Sequence, residues 1–290
     1  MGLTAEPGRL RFSHGDTELA RYVYEPTEVQ LESPRPYLHP LRTLAGDVVS
    51  LYRPHDHVWH KGIAWSLPNV SDSSGTANFW GGPTYRRGRG YEQLPNNGST
   101  RHLSFDSVTA DRVTESLAWE TEQGERWFTE ARTLTFAVRD AAWTLGFATS
   151  FTNVTDQEIV FGSPTTEGRE NAGYGGLFWR GPRSFTGGRV LVPDGVGGDE
   201  LMGVRAPWLG FRGQHDEHGR FSTLLFVASA SVRWFVRSTP FAAVCPAPFF
   251  SSEVPVAPGE SLSYRYTVVI ADGTPDLAEL VEDLLGDGER

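Results

Sequence analysis

Residues 101–154, RHLSFDSVTADRVTESLAWETEQGERWFTEARTLTFAVRDAAWTLGFATSFTNV, decide the fold. They divide into four strand-like runs, about 101–109, 112–122, 126–139 and 142–154, with breaks at Ala110-Asp111, Gln123-Gly124 and Asp140-Ala141. Connections of two to four residues join neighbouring strands antiparallel, because a parallel return needs a long crossover. In the last run Trp143, Leu145, Phe147, Thr149 and Phe151 alternate with Thr144, Gly146, Ala148 and Ser150, so one face belongs to a core. In the third run Glu130 and Arg132 share a face with Phe128, Leu134, Phe136 and Val138.

Working outward, the same signals predict strands at Glu18–Tyr24, Asp47–Tyr52, Gly62–Leu67, Trp208–Arg212, Thr223–Ala228, Val232–Arg237 and Leu262–Ile270. Strand-like islands at 176–180 and 189–192 interrupt a glycine-rich stretch that otherwise reads as long loops. Only the tail reads as a helix. Thr274 can cap it, Pro275 suits its first turn, and Leu277, Leu280, Val281, Leu284 and Leu285 recur at helical spacing before Gly286. The expected architecture is all-β, one large antiparallel β-sandwich domain over residues 1–290 with a short C-terminal helix.

Composition agrees. The chain has 290 residues, 12% of them aromatic, with 32 Gly and 19 Pro, a mixture that favours strands and turns. A net charge of −10 argues against a nucleic-acid partner, since phosphates are neutralised by Lys and Arg. No stretch approaches the roughly 18–20 uncharged apolar residues of a membrane span, and the first residues lack the pattern of a signal peptide, so a cytoplasmic protein is expected. The single Cys245 is expected to be a small buried residue. Lys61 is the only lysine, and a solvated surface position is the expectation for it. The sequence specifies no oligomeric state.

Three segments carry candidate chemistry. The first is Arg53-Pro54-His55-Asp56-His57-Val58-Trp59-His60-Lys61-Gly62, with three of the eight histidines. On an extended chain His55 and His57 point one way, and a turn at Val58-Trp59 brings His60 beside them. Three converging imidazoles suit a transition metal with an open position, or proton transfer near neutral pH; His55 and His60 equally suit capping of turns or bonds to backbone carbonyls. The second is Glu130 with Arg132, charges on an apolar face that must either find partners in a groove or emerge from the core at a strand end. The third is residues 165–180, where Arg169, Tyr174 and Arg180 sit among glycines with Trp179, the residue types that bond and stack on a polyhydroxylated ring. No dinucleotide fingerprint opens a helix, and no cofactor is predicted beyond the metal alternative. His215 and His218 fall in a predicted hairpin turn.

Pro36-Tyr37-Leu38-His39-Pro40-Leu41-Arg42-Thr43, then Gly46, the histidine segment, Asn78-Phe79-Trp80-Gly81 and Tyr174-Gly175-Gly176-Leu177 together resemble a bacterial family of unknown function labelled PmoA or methane-oxygenase-like, over about Pro36 to Gly273. More distantly, the long meander ending in Phe151-Thr152-Asn153-Val154 and the late Pro258-Gly259-Glu260 before a final strand resemble the galactose mutarotase-like supersandwich. In that superfamily a His-Gly-Gly segment holds a sugar-binding histidine, and His60-Lys61-Gly62 is the nearest match. The catalytic histidine of a mutarotase that follows the Thr-Asn strand has no counterpart here, where Arg169 and Tyr174 lie instead. The resemblance implies a carbohydrate-active enzyme, an epimerase, lyase or hydrolase, with a small-molecule carbohydrate as partner. His55, His57, His60 and Glu130 form its expected catalytic set; His39, Arg42, Trp80, Arg132, Arg169, Tyr174 and Arg180 form its substrate-binding set. A metal-dependent enzyme at His55, His57 and His60 and a noncatalytic carbohydrate-binding module are the alternatives.

Overall fold

The four runs of the meander are strands Ser99–Val108, Arg112–Glu120, Arg126–Val138 and Ala142–Asn153, in a computed structural model that describes residues 2–139 and 141–286. Each pairs antiparallel with the next, Thr129 opposite Thr152 and Leu117 opposite Glu130. Trp143, Leu145, Phe147, Thr149 and Phe151 are all buried, as their alternation requires. The break at Asp140-Ala141 falls partly outside the described residues.

Ser261–Asp272 pairs with the last meander strand and carries the sheet to Phe221–Arg237, then Ala243–Pro246, Gly176–Arg180, Ile63–Ser66, Tyr37–Leu41, and finally Thr17–Val23, Arg9–His14 and Gly2–Glu6. Among the described residues, sixteen strands belong to this one sheet. It curls until its ends face each other: the Phe12 ring stacks on Phe136 with centroids 3.5 Å apart, and Trp65 lies parallel to Phe147. The result is the large antiparallel sandwich that the sequence predicts. The C-terminal helix, Leu277–Gly286, covers one face through Leu277, Leu280 and Val281. The side chains of Leu284 and Leu285 lie outside the described residues.

Two strand expectations change. Residues 223–228 and 232–237 are one strand, Phe221–Arg237, because Ala228-Ser229-Ala230-Ser231 contains no Gly, Pro, Asn or Asp, the stronger turn formers. Its first half pairs with Ser261–Asp272 and its second with Ala243–Pro246, so this strand joins the two halves of the sandwich. Residues 47–52 form no strand and make only isolated bridges, Arg42 to Val48 and Tyr52 to Lys61. No helix among the described residues is long and apolar enough to cross a membrane.

The Phe12–Phe136 stack clamps the two ends of the sheet. Phe12→Ala is expected to lower unfolding free energy by about 3–5 kcal/mol, the usual cost of truncating a buried aromatic. Denaturant unfolding measures it, and a loss below about 1 kcal/mol would show that the contact is not a clamp.

Candidate functional site

The strands at the middle of the sheet are buried on both faces. In Gly176–Arg180, Leu177 and Trp179 enter the main core, while Phe178 points the other way. At the end of Phe221–Arg237, Trp234 and Val236 enter the core while Phe235 faces the other way with Ala243 and Cys245 of the next strand. Burial pushes the Cys245 thiol up to about 12, so it is an inert filler, as its sequence context suggests. Trp80, Phe178, Phe235 and Phe250, with partly buried Trp59 and Tyr174, form a second apolar cluster. That cluster walls a cavity of about 490 Å³, within the roughly 300–1,000 Å³ of small-molecule sites.

The histidine segment forms one side of this cavity. A turn held by His57 N–H to the Pro54 carbonyl (3.0 Å) and a second held by His60 N–H to the His57 carbonyl (2.9 Å) fold residues 54–60 back on themselves. The second turn, at Val58-Trp59, lays the imidazoles of His57 and His60 nearly parallel, 4.7 Å apart and 17° from coplanar. The first sends His55 to the surface, where its Nδ1 lies 3.1 Å from Arg183. Phe178, Trp80 and Phe241 pack around His60. Arg180 Nη1 donates to His60 Nδ1 at 3.0 Å. A guanidinium offers only donors, so Nδ1 is the acceptor and the ring proton of neutral His60 sits on Nε2. Burial, reinforced by the charges of His57, Arg180, Arg35 and Lys61, holds the His60 pKa well below the usual imidazole range. Burial also lowers that of His57, against the pull of Asp56, whose Oδ2 is 3.2 Å from Nδ1.

What fastens this loop is a buried ionic network. Lys61, only 1% exposed, pairs with Glu32 at close range and with Glu28 at 3.5 Å. Arg53 grips the Glu32 carboxylate with two hydrogen bonds, 2.9 and 2.6 Å, and the Glu28 carboxylate takes the Tyr52 hydroxyl. Arg35 donates to the carbonyls of Glu32, Ser33 and Trp59. Both ends of the histidine loop, Arg53 and Lys61, are thereby held by one carboxylate. The sole lysine is therefore structural and buried rather than solvated; the strand that follows it, Ile63–Ser66, carries it into the interior. Close packing completes the wall. Gly82 has φ +68°, and a Cβ there would lie 2.7 Å from the Trp59 ring. Asn78 accepts from the backbone N–H groups of Trp80 and Gly81 and donates to the Gly82 carbonyl, shaping the turn that presents Trp80.

Of the residues singled out from sequence, the structure brings His57, His60, Trp80, Arg169 and Tyr174 to the cavity. Arg180 stands behind His60, wholly buried. His55 is turned away, so the three histidines do not converge, and among the described residues no three His, Cys, Asp or Glu side chains are placed to hold a metal. Glu130 and Arg132 are also elsewhere. Their face of Arg126–Val138 looks into the sandwich, where Glu130 pairs with Arg132 and accepts from Trp119 Nε1 and Thr149, and Arg132 donates to Tyr22. Tyr22 in turn bonds Glu115, which holds His102. These charges are partnered inside the core, a third possibility beside a groove and an exposed strand end. His39 bonds Ser50 and stacks on Tyr52, and Arg42 donates to the Gly46 carbonyl, both outside the cavity lining. His215 and His218 occupy the predicted turn, but His215 is buried against Ser222 and His218 reaches Asp47.

Sequence reading missed Tyr91, Phe235, Arg237 and Phe241, which also line the cavity. Tyr91 arrives on a hairpin, Thr84–Arg86 with Gly90–Glu92, and its hydroxyl meets that of Tyr174 at 2.7 Å. The only sequence signal for Phe235 and Arg237 was their alternation with Trp234 and Val236, which does not say what the second face meets.

Two stability measurements test the burial of Lys61 and of His39. Lys61→Ala leaves Glu28 and Glu32 short of a buried cation and is expected to cost about 3–5 kcal/mol; a solvated lysine would cost almost nothing. Burial, with the charges of Arg21 and Arg42, depresses the His39 pKa to about 4. Between an unfolded value of about 6.5 and that folded value the unfolded chain binds a proton that the folded chain excludes, so stability falls as pH drops through this window. His39→Gln is expected to reduce that slope by up to about 1.4 kcal/mol per pH unit, and an unchanged slope would count against a buried neutral His39.

Among solved structures, the chain is similar to a variant of the GH36 alpha-galactosidase AgaA from Geobacillus stearothermophilus in complex with raffinose, with 11% identity over 91% of this chain and 41% of that chain, at a TM-score of 0.46. It is similar to a mutant of heparan sulfate lyase HepC from Pedobacter heparinus, with 8% identity over 95% and 37% of the two chains, at 0.44. It is also similar to the GalM/aldose epimerase homologue from C. elegans, with 10% identity over 94% and 97%, at 0.36. The chain thus spans about two fifths of the length of the galactosidase and lyase chains. No curated protein matches it. Residues 9–284 match the model of a family of unknown function, DUF6807, and a family of unknown function is what the motifs lead one to expect. The chain belongs to this family, DUF6807.

Proposed function

We propose that the cavity binds a carbohydrate or sugar derivative and that His57 and His60 carry out proton-transfer chemistry on it. The observation that carries this reading is the parallel His57–His60 pair set in an aromatic wall, with the His60 tautomer pinned by Arg180. Trp59, Trp80 and Tyr174 offer faces for the apolar side of a sugar ring, and Asn171 with the Tyr91 and Tyr174 hydroxyls offers partners for its edges. Neutral His60 presents an Nε2–H, which donates to a substrate carbonyl or hydroxyl oxygen and stabilises negative charge developing there. Burial lowers the His57 pKa and so favours its neutral form, and when Nδ1 carries the proton beside Asp56 its Nε2 is the base that takes one from substrate. A base beside an oxygen-polarising donor suits isomerisation, epimerisation or elimination next to a carbonyl. Among the described residues the lining contains no Asp or Glu, whereas hydrolysis by paired carboxylates places two of them across the scissile bond. Glycoside hydrolysis of that kind is the reading least supported.

Turnover of a panel of aldoses, ketoses and sugar acids by wild type, His57→Ala and His60→Gln tests the proposal. Loss of a base or a polarising donor is expected to lower kcat by about 10²–10⁴-fold while sugar affinity changes little. Binding without turnover in wild type, unaltered in both variants, would make the protein a binding module. Absence of both would sink the carbohydrate reading.

A further inference from the structure

The charge around the cavity is opposite to that of the molecule. The chain carries −10 overall, yet the lining holds Arg169 and Arg237 and, among the described residues, no carboxylate. Neither arginine is well neutralised. Arg169 donates to the Tyr91 hydroxyl and lies 4.7 Å over that ring, with no carboxylate at ion-pair distance among the described residues. Arg237 reaches Asp199 only at 4.0 Å, too far for a hydrogen bond, and the Asp199 carboxylate takes its hydrogen bonds from the backbone of Ser238 and Thr239 and from the Thr239 hydroxyl. Behind His60, the buried Arg180 guanidinium covers the Phe241 ring at 3.8 Å and leaves Nε and Nη2 without hydrogen-bond partners. Its nearest carboxylate, Asp56 at 3.9 Å, bonds Arg183 instead at 2.9 Å.

Three guanidinium groups around an aromatic-walled cavity generate a positive potential that low-dielectric walls focus rather than screen. A neutral sugar leaves that charge uncompensated and dehydrates it further. A carboxylate neutralises it and matches the planar fork of arginine with two parallel hydrogen bonds. From this we infer that the ligand is an acidic sugar, a uronate or aldonate, with its carboxylate held by Arg169 or Arg237. The inference rests on the carbohydrate reading above and narrows it. An acidic sugar also fits the proposed chemistry, because a carboxylate paired with arginine makes the hydrogen on its α-carbon easier for a base such as His57 to remove.

Isothermal titration of the whole chain with glucuronate and galacturonate, against glucose, galactose and glucose 6-phosphate, tests this at about neutral pH, where both classes of anion are ionised. At least one uronate is expected to bind about tenfold or more tightly than its neutral counterpart, with a preference that shrinks as salt is added. In Arg169→Gln with Arg237→Gln the preference for uronate over neutral sugar is expected to fall below about threefold. Equal wild-type affinity for uronate and neutral sugar overturns the inference and leaves the carbohydrate reading standing. Tighter binding of glucose 6-phosphate than of either uronate overturns the carboxylate assignment. Failure of every sugar to bind removes the carbohydrate reading and this inference with it. Thermal unfolding of the double variant checks its fold; should it be impaired, Arg237→Gln alone, at a partly exposed position, is expected to halve the preference or more.

Discussion

Everything in this molecule depends on a few central strands being buried on both faces. Trp179 and Trp234 hold the sandwich together from one side, and Phe178 and Phe235, one residue before and one after them, build the cavity on the other. Strand geometry makes the two inseparable, since neighbouring side chains must point in opposite directions. The long strand Phe221–Arg237 extends this coupling along the molecule. Its first half lies in the meander side of the sheet, and its end delivers Phe235 and Arg237 to the cavity. The packed core and the wall of the cavity are thus alternate residues of the same segments.

The loop that carries the histidines has no regular structure, and charge does for it what a hydrogen-bond ladder does for a strand. Glu32 gathers Arg53 and Lys61 from the two ends of the loop, and Arg35 fixes the Trp59 carbonyl between them. Burying so many charges is costly unless every one has partners, which gives the arrangement a narrow set of allowed geometries. That rigidity lets Arg180 meet the correct nitrogen of His60. A second buried network, Tyr22, Glu115, Glu130 and Arg132, does comparable work inside the sandwich, where Tyr22 on one side meets Arg132 on the other.

Much of the fold was legible. The meander strands, the buried face of Ala142–Asn153 and the C-terminal helix follow from alternation and turn chemistry, which act over a few residues. The turn at Val58-Trp59 that stacks His60 on His57 was legible for the same reason. The fate of His55 was not, because a second turn at His55-Asp56 breaks the extended geometry that would have aligned it with His57. Glu130 and Arg132 show a different limit. Their shared face was readable, but their partners Tyr22, Trp119 and Thr149 come from three other strands, and pairing of that kind leaves no local trace.

The sequence by itself determined that this is an antiparallel β protein and where most strands run, because each depends on the spacing of residues close in the chain, and the same local reading singled out the histidine segment and the glycine-rich stretch as candidates. Only the tertiary structure decided which of them share a cavity. Trp80, Tyr91, Arg169 and Arg237 are far apart in sequence and meet because the curled sheet and its loops bring them together. Whether a charged side chain such as Lys61 faces water or a buried carboxylate is settled by what packs above it, and residue spacing does not encode that.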